Sequence, residues 1–237
     1  GVLAPADCHA LRMKVLYFER PPYYTTVDGV PGGVLLNLAR TILTSAGIEP
    51  DFQEMPAKRI VEELKSSREP VCSVGWFKTP ERELFARFSL PFYQDLPLAA
   101  VFLRSGAPPP PGVDTLAGLA ARKGLVLGIN SAFSYGAAVD AIIAQMAEPP
   151  VRMTGTQMQL MRMLGAKRFD YALFNPEEAD TLACLAGLKP DDLVALRLTD
   201  LPKGNMRHLM FSLSTREDVV RRVNAVIQRT IDLDGAP

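Results

Sequence analysis

Short apolar runs and helically spaced apolar residues alternate along the first part of the chain. The runs at residues 12–18, 51–54 and 71–76 predict strands, and the spacing at residues 33–45 and 58–66 predicts amphipathic helices. A strand–helix–strand–helix–strand order is typical of a doubly wound, mostly parallel sheet. The pattern therefore predicts an α/β fold for this part of the chain.

The alternation breaks off once and then resumes. Apolar segments at residues 85–89 and 96–102 follow one another with no helix between them, and a loop at 106–112 holds four consecutive prolines. Beyond it, the predicted helices are 115–122, 135–146, 157–164 and 177–185, and the predicted strands are 125–129, 151–154, 169–174 and 193–198. We interpret this restart as a second α/β lobe.

A last strand at 208–212 and a helix at 216–233 must join a sheet of one of the two lobes. The pattern alone does not show which lobe this is. Ser214 and Glu217 have the spacing of a capping box at the start of that helix.

Charge and composition narrow the class of partner. Acidic and basic side chains balance at 26 each, and hydrophobic residues make up 48% of the chain, which indicates a globular protein. Without a basic excess, neither nucleic acid nor an anionic membrane surface is an expected partner. No run of about 18 apolar residues could span a bilayer. The first seven residues fit a mature terminus left after signal-peptide removal, or a remnant of cloning.

The three cysteines, Cys8, Cys72 and Cys184, form no metal-binding pattern, and the two histidines are too few for a zinc site. Two alternatives stay open, three buried thiols or one disulfide with one free thiol. Cys8 and Cys72 would both lie near the amino ends of neighbouring strands, which makes them the expected pair in an oxidising compartment.

Enzyme signatures are missing from the sequence. It contains no GxSxG, P-loop, GxGxxG or HExxH motif. His9 and His208 precede and open strands, where a structural or solvated role is expected. We therefore predict no catalytic residue, no metal and no cofactor.

The residues that follow the predicted strands are the candidates for binding, because open α/β sheets bind ligands at the carboxyl ends of their strands. They are rich in aromatic, arginine and small polar side chains: Tyr17, Glu19, Arg20, Tyr23, Trp76, Phe77, Asn130, Ser131, Phe133, Ser134 and Asn175. Thr79-Pro80 predicts an N-cap and first helical residue, and the short helix that follows carries Arg82. Arg82 could hold a carboxylate or pair with Glu81 or Glu83.

Several segments resemble a known family. Pro21-Pro22-Tyr23, residues 33–39, and above all Thr79-Pro80-Glu81-Arg82 followed by residues 88–93 (FSLPFY) are similar to solute-binding proteins of polar-amino-acid ABC importers. Ligand-gated glutamate receptor cores share that fold. The resemblance runs from about residue 13 to about residue 233.

The resemblance implies a two-lobed, type II periplasmic-binding fold, in which each lobe is a mostly parallel sheet flanked by helices. Lobe 1 would comprise residues 1–93 and 206–237, and lobe 2 would be the insert 94–205. The final strand and helix would return to lobe 1. Two hinge strands, near 92–96 and 204–207, would join the lobes and let them close on a ligand.

The same resemblance implies roles for individual residues. Arg82 matches the arginine that grips the ligand carboxylate, and Asn130-Ser131 to Ser134 match a loop that completes that site. Arg59 and Arg207 are further candidates by position.

Departures from the family pattern concern the other end of the ligand. Phe77 replaces a hydroxyl residue, Asn175 replaces an acidic residue that holds an ammonium group, and Ala57 replaces a capping aromatic. An anionic solute without an ammonium group thus gains weight, although Glu19 or Asp170 could supply the missing charge.

We therefore expect a monomeric periplasmic receptor, exported with removal of its signal peptide. It would capture a small anionic solute, an amino acid or related carboxylate, between its lobes by hinge closure and deliver it to an ABC importer permease. One alternative is the ligand-sensing domain of a signalling system. Another is a dehydratase-type enzyme on the same fold, for which Glu19 and Glu54 are the carboxylates nearest the strand ends.

Overall fold

The computed structural model describes residues 10–131, 133 and 135–233. The chain divides into two compact units. Unit 1 comprises Gly1–Gln94 and Met206–Pro237, and unit 2 comprises Asp95–Asn205.

The helices and strands follow in chain order. Before residue 95 they are β1 Leu11–Tyr17, β2 Thr25–Val27, β3 Val30–Gly32, α1 Val34–Ser45, β4 Ile48–Glu54, α2 Ala57–Ser66, β5 Val71–Trp76, α3 Pro80–Glu83, β6 Ala86–Phe88 and β7 Tyr93–Gln94. Unit 2 holds β8 Ala99–Leu103, α4 Leu116–Ala120, β9 Leu127–Asn130, α5 Ala137–Ile143, β10 Val151–Met153, α6 Gln157–Gly165, β11 Tyr171–Phe174, α7 Pro176–Leu185, a 3-10 turn Pro190–Asp192 and β12 Leu193–Arg197. After it come β13 Met206–Ser212 and α8 Glu217–Thr230.

The sheet of unit 1 has the order β4-β1-β5-β13-β6. Strand β1 runs parallel to β4 and β5, whereas β13 runs antiparallel to β5 and β6. The first two residues of β13 also pair with β7, Met206 with Gln94 and Arg207 with Tyr93. The last strand of the chain thus lies inside the sheet of unit 1.

Side chains on the two faces of this sheet enter different cores, because neighbouring residues of a strand point in opposite directions. Val15 packs with the inner stripes of α1 and α8, and Leu16 packs with Ile60 and Leu64 of α2. Both faces are thereby covered by helices, as expected for a parallel sheet.

The sheet of unit 2 has the order β10-β9-β11-β8-β12. Strands β9, β10 and β11 are parallel, and β8 and β12 are antiparallel to their neighbours. Phe102 and Val101 of β8 enter two separate cores, one on each face.

Two local features differ from the sequence prediction. Strands β2 and β3 form a hairpin closed by Asp28 (φ 50°) and Gly29 (φ 75°), a segment that the hydrophobic pattern left unassigned. Strand β7, in contrast, lies within the hinge strand that the resemblance implies near 92–96. The capping box at Ser214 was wrong: Arg216 is the N-cap residue of α8, and Ser214 Oγ donates instead to Glu69 O at 2.8 Å. Within the described ranges, no helix combines the length and apolar character needed to cross a membrane.

Candidate functional site

The candidate site of unit 1 lies at the carboxyl end of β5, where a glycine lets the side chain of Tyr24 pack closely against the strand. Gly75 has φ +81°, and a Cβ at this position would overlap the hydroxyl of Tyr24. Beyond Trp76 the chain turns into α3, where Thr79 Oγ1 accepts a hydrogen bond from Arg82 N at 3.3 Å and Pro80 is the first helical residue. The predicted N-cap is confirmed.

Arg82 is half-buried, and its guanidinium packs against the preceding residues Trp76 and Phe77. Nη1 donates to Phe77 O at 2.7 Å, and Cζ lies 4.9 Å from the centre of the Trp76 ring. Among the described residues, no carboxylate oxygen lies within ion-pair distance of Arg82. Burial lowers the pKa of Arg82, and Glu81 partly offsets this, but a guanidinium stays charged at neutral pH. Arg82 thus offers an anion a charge and unused N–H groups.

Trp76 is itself held in place from below. Its Nε1 donates to Ser73 Oγ at 2.7 Å, and the Ser73 hydroxyl donates to Leu16 O at 2.7 Å. The edge of the indole meets the ring of Phe18, 6.1 Å away between centres at 70°. The orientation of the indole therefore depends on a buried serine of the same strand.

Arg207, expected to bind ligand, is only 2% exposed and bonds within unit 1. Nη1 donates to Tyr24 Oη at 3.3 Å and to Gly75 O at 3.2 Å. Its Cζ lies 4.7 Å from the centre of the Tyr23 ring and 5.0 Å from that of Phe77. Arg207 and the buried Tyr23 therefore support the end of β5, and a direct ligand contact would require these groups to become exposed.

Tyr17 and two carboxylates meet around one threonine. The Thr26 hydroxyl donates to Glu54 Oε2 at 2.6 Å, and Tyr17 Oη lies 2.6 Å from Thr26 Oγ1. Glu19 Oε2 accepts from Thr26 N at 3.0 Å. Burial raises the pKa of Glu19, the Thr26 bond lowers it, and the charge of Glu54 raises it again. This cluster ties the β2–β3 hairpin to the ends of β1 and β4, and Tyr17 is buried within it.

Two further predicted arginines differ in their surroundings. Arg20 has its Cζ 5.4 Å from the centre of the Tyr23 ring. Arg59 is exposed in the first turn of α2, where the helix dipole disfavours a positive charge, and no ion pair holds it among the described residues.

In unit 2, the carboxyl end of β9 is organised around a buried amide. Asn130 is fully buried; its Nδ2 donates to Gly155 O at 2.7 Å, and its Oδ1 accepts from Gly155 N at 3.4 Å. Its backbone N donates to Tyr135 Oη at 2.9 Å. The side chain joins two loops of unit 2, so a ligand contact would require those bonds to break.

The next residues lie closer to solvent. Ser131 is exposed and donates its N–H to Met153 O at 2.8 Å, and Phe133 is half-buried. Ser134 lies outside the described residues. A cavity of about 440 Å³ within unit 2 borders this loop, and the side chains around it include Asp140 and Arg152.

Asn175, which replaces an acidic residue of the family pattern, and Asp170, one of the two carboxylates suggested to supply the missing charge, lie in different places. Asn175 is the N-cap residue of α7, yet its side chain bonds no N–H of that helix. Asp170 stands before the amino end of β11, and its Oδ2 accepts from Val126 N at 2.7 Å. The suggestion that Asp170 supplies a ligand-facing charge is wrong, because it lies at the opposite end of the strand from Asn175.

Cys72 is buried and has no disulfide partner among the described residues, and burial raises the pKa of its thiol. Cys8 lies outside the described residues, so the pairing with Cys72 stays a prediction. Cys184 is a free, exposed thiol.

Sequence reasoning missed several residues that shape these strand ends, namely Phe18, Tyr24, Thr26 and Ser73. Ser73 gave only a weak signal, a small polar residue inside an otherwise apolar strand.

The sequence of the chain matches the model of a known protein family. The model of the bacterial extracellular solute-binding proteins, family 3, matches residues 12–232. The chain belongs to this family. No curated protein is significantly similar to it in sequence.

Solved structures of similar fold include other binding proteins of this kind. The P235GK mutant of ArgBP from T. maritima is 18% identical over 93% of this chain and 89% of its own, with a TM-score of 0.65. A structure concerning glutathione import via GshT and the cystine importer TcyBC of Streptococcus mutans is 15% identical over 92% and 88%, with a TM-score of 0.69. Substrate-binding domain 2 of Lactococcus lactis GlnP, in its open conformation, is 11% identical over 97% and 92%, with a TM-score of 0.67.

These similarities establish that this family 3 protein has the two-lobed type II periplasmic-binding fold. Its relatives in fold and family are binding proteins rather than enzymes. The chain is accordingly a solute-binding protein.

Proposed function

We propose that the protein is an exported, monomeric receptor that captures a small carboxylate-bearing solute through Arg82 and delivers it to an ABC importer. The other predicted binding residues would shape the pocket around that anchor, with the two units closing on the solute. Export, monomeric state and closure are parts of the same proposal.

Arg82 is the observation that carries this proposal. Among the described residues, this half-buried guanidinium has no carboxylate partner, so its remaining N–H groups can be occupied by an anion during function. Arginine also suits a carboxylate geometrically, because its planar N–H groups can grip both oxygens.

The chemistry of the ligands named for similar structures supports a carboxylate. Those ligands include arginine, glutamine and glutathione. All of them carry a free carboxylate next to an ammonium group, whereas the rest of each molecule differs. In this chain Asn175 offers no negative charge to an ammonium group, which favours solutes whose second group is neutral or anionic.

Isothermal titration calorimetry with individual solutes tests the proposal. The panel should contain succinate, glutarate, glutamate, glutamine, arginine and glutathione. We expect binding of at least one member, and a loss of affinity of about a hundred-fold in Arg82→Gln because a charge-assisted pair is removed.

Arg68→Gln is the matched control, since it removes the same charge from an exposed site of unit 1. It should bind like the wild type. Equal affinity in Arg82→Gln and Arg68→Gln would refute the role of Arg82. Tight binding of arginine with no response to either dicarboxylate would refute the preference for an anionic solute.

A further inference from the structure

The only tryptophan of the chain lies face-on beneath the proposed anion-binding group. Cζ of Arg82 is 4.9 Å from the centre of the Trp76 ring, and this geometry attracts a cation to the π-face. A second contact, from Arg82 Nη1 to Phe77 O at 2.7 Å, fixes one edge of the guanidinium. With one face and one edge occupied, the remaining N–H groups have a defined direction.

The indole can hold the guanidinium only if its own plane is fixed. Ser73 does this, because its oxygen accepts from Trp76 Nε1 at 2.7 Å while its proton goes to Leu16 O at 2.7 Å. Ser73 is 1% exposed, so water cannot readily replace it. The edge contact with Phe18 restricts rotation from another side.

We propose that Ser73 and Trp76 are positioning residues that aim Arg82 at an anion. In this proposal Arg82, and neither Ser73 nor Trp76, supplies the charge that holds the anion. The relay runs from the β1 carbonyl of Leu16 through the Ser73 hydroxyl and the Trp76 indole to the guanidinium. The contribution of the relay to solute affinity rests on the proposed function, whereas the relay itself can be tested with a simple anion.

Quenching of Trp76 fluorescence by iodide and by caesium tests the relay without any solute. The formal net charge of the chain is zero, so the whole molecule favours neither ion. Each quenching constant is divided by that of N-acetyltryptophanamide, because the two ions quench a free indole with different efficiency. At pH 8 and low salt we expect the ratio of the normalised iodide constant to the normalised caesium constant to be about two to five, because a cation near the indole concentrates the anion. Sodium chloride should bring the ratio towards one by screening.

Three variants test whether Arg82 and Ser73 cause the difference between iodide and caesium quenching. Arg82→Gln should bring the ratio close to one, and Arg68→Gln should leave it unchanged. Ser73→Ala should lower the ratio and also the fluorescence anisotropy of Trp76, because the indole loses its anchor. Thermal unfolding checks that each variant is folded.

A wild-type ratio of one would overturn the proposal, whatever the variants do. So would an Arg82→Gln ratio equal to that of the wild type, or a folded Ser73→Ala protein with unchanged ratio and anisotropy. If quenching follows the expectation but no panel solute binds, the relay stands and the proposed function fails. Where a solute does bind, Ser73→Ala should lower the affinity of the protein for that solute about ten-fold.

Discussion

The strand ends after β5 in unit 1 and after β9 in unit 2 are both carboxyl ends of strands that have parallel neighbours, yet they use their polar groups in opposite ways. After β5, Arg82 has no carboxylate partner among the described residues and keeps N–H groups in reserve. After β9, the buried side chain of Asn130 is bonded on both sides to Gly155.

The difference teaches that position at a carboxyl strand end is not enough to identify a ligand-binding side chain. A polar group that is satisfied inside its own unit contributes to the shape and stability of the loop. One with unused hydrogen-bonding capacity can contribute affinity. The comparison therefore predicts that substitutions at the two strand ends separate loss of stability from loss of binding.

The largest effect on stability is expected at Gly75. The Cβ of an alanine there would overlap the hydroxyl of Tyr24, and the backbone has a φ of +81° that alanine disfavours. We therefore expect a loss of about 3 kcal/mol in the free energy of unfolding. Gly187 has the same φ, with no described atom near the added Cβ, so Gly187→Ala should cost only about 1 kcal/mol. Urea unfolding of both variants measures the difference, and equal losses would show that the Tyr24 contact is unimportant.

A smaller loss is expected at Asn130. Asn130→Ala leaves the backbone N–H and C=O of Gly155 without their partner, which should cost about 2 kcal/mol of unfolding free energy. Arg82→Gln should leave the free energy of unfolding nearly unchanged. Urea unfolding of the two variants side by side decides the matter; if Arg82→Gln is the less stable one, the contrast between the strand ends is wrong.

The smallest effect concerns pH and His208, which pairs with Trp76 across the sheet. Nδ1 lies 2.8 Å from Ser89 O and must carry the hydrogen, because a carbonyl only accepts. Burial lowers the pKa of His208, the Ser89 bond raises it, Lys78 lowers it and Glu83 raises it, with a net decrease.

A lowered folded-state pKa means that protonation opposes folding. The contribution of neutral His208 to stability is therefore complete above its unfolded pKa of 6.5 and is lost as the pH falls below it. Between pH 7.5 and 5, the melting temperature of the wild type should fall more than that of His208→Gln, which can still donate to Ser89 O. Parallel curves would contradict this.

Much of the fold follows from patterns that depend on local chemistry. The Thr79-Pro80 start of α3 was predictable because a capping hydroxyl and a proline act within one turn. The β2–β3 hairpin also has a local signal in Asp28-Gly29, a pair typical of tight hairpin turns, which the hydrophobic pattern does not capture. Ser214 misled because its hydroxyl finds Glu69, a partner distant in sequence.

The site was only partly predictable for a related reason. Arg82 could be singled out, but neither its stacking on Trp76 nor the Ser73 anchor has a sequence signature. Arg207 and Asn130 have the residue types expected of ligand contacts. Their burial depends on tertiary partners, which no pattern along the chain specifies.

The position of β13 has a consequence for biosynthesis. Among the described strands, β6 pairs only with β13, and β13 leaves the ribosome after the whole of unit 2. All strands of unit 2 emerge earlier, as one continuous stretch. During vectorial synthesis the later-starting unit can therefore mature first, while the sheet of the unit that holds Arg82 is completed only when β13 has been made.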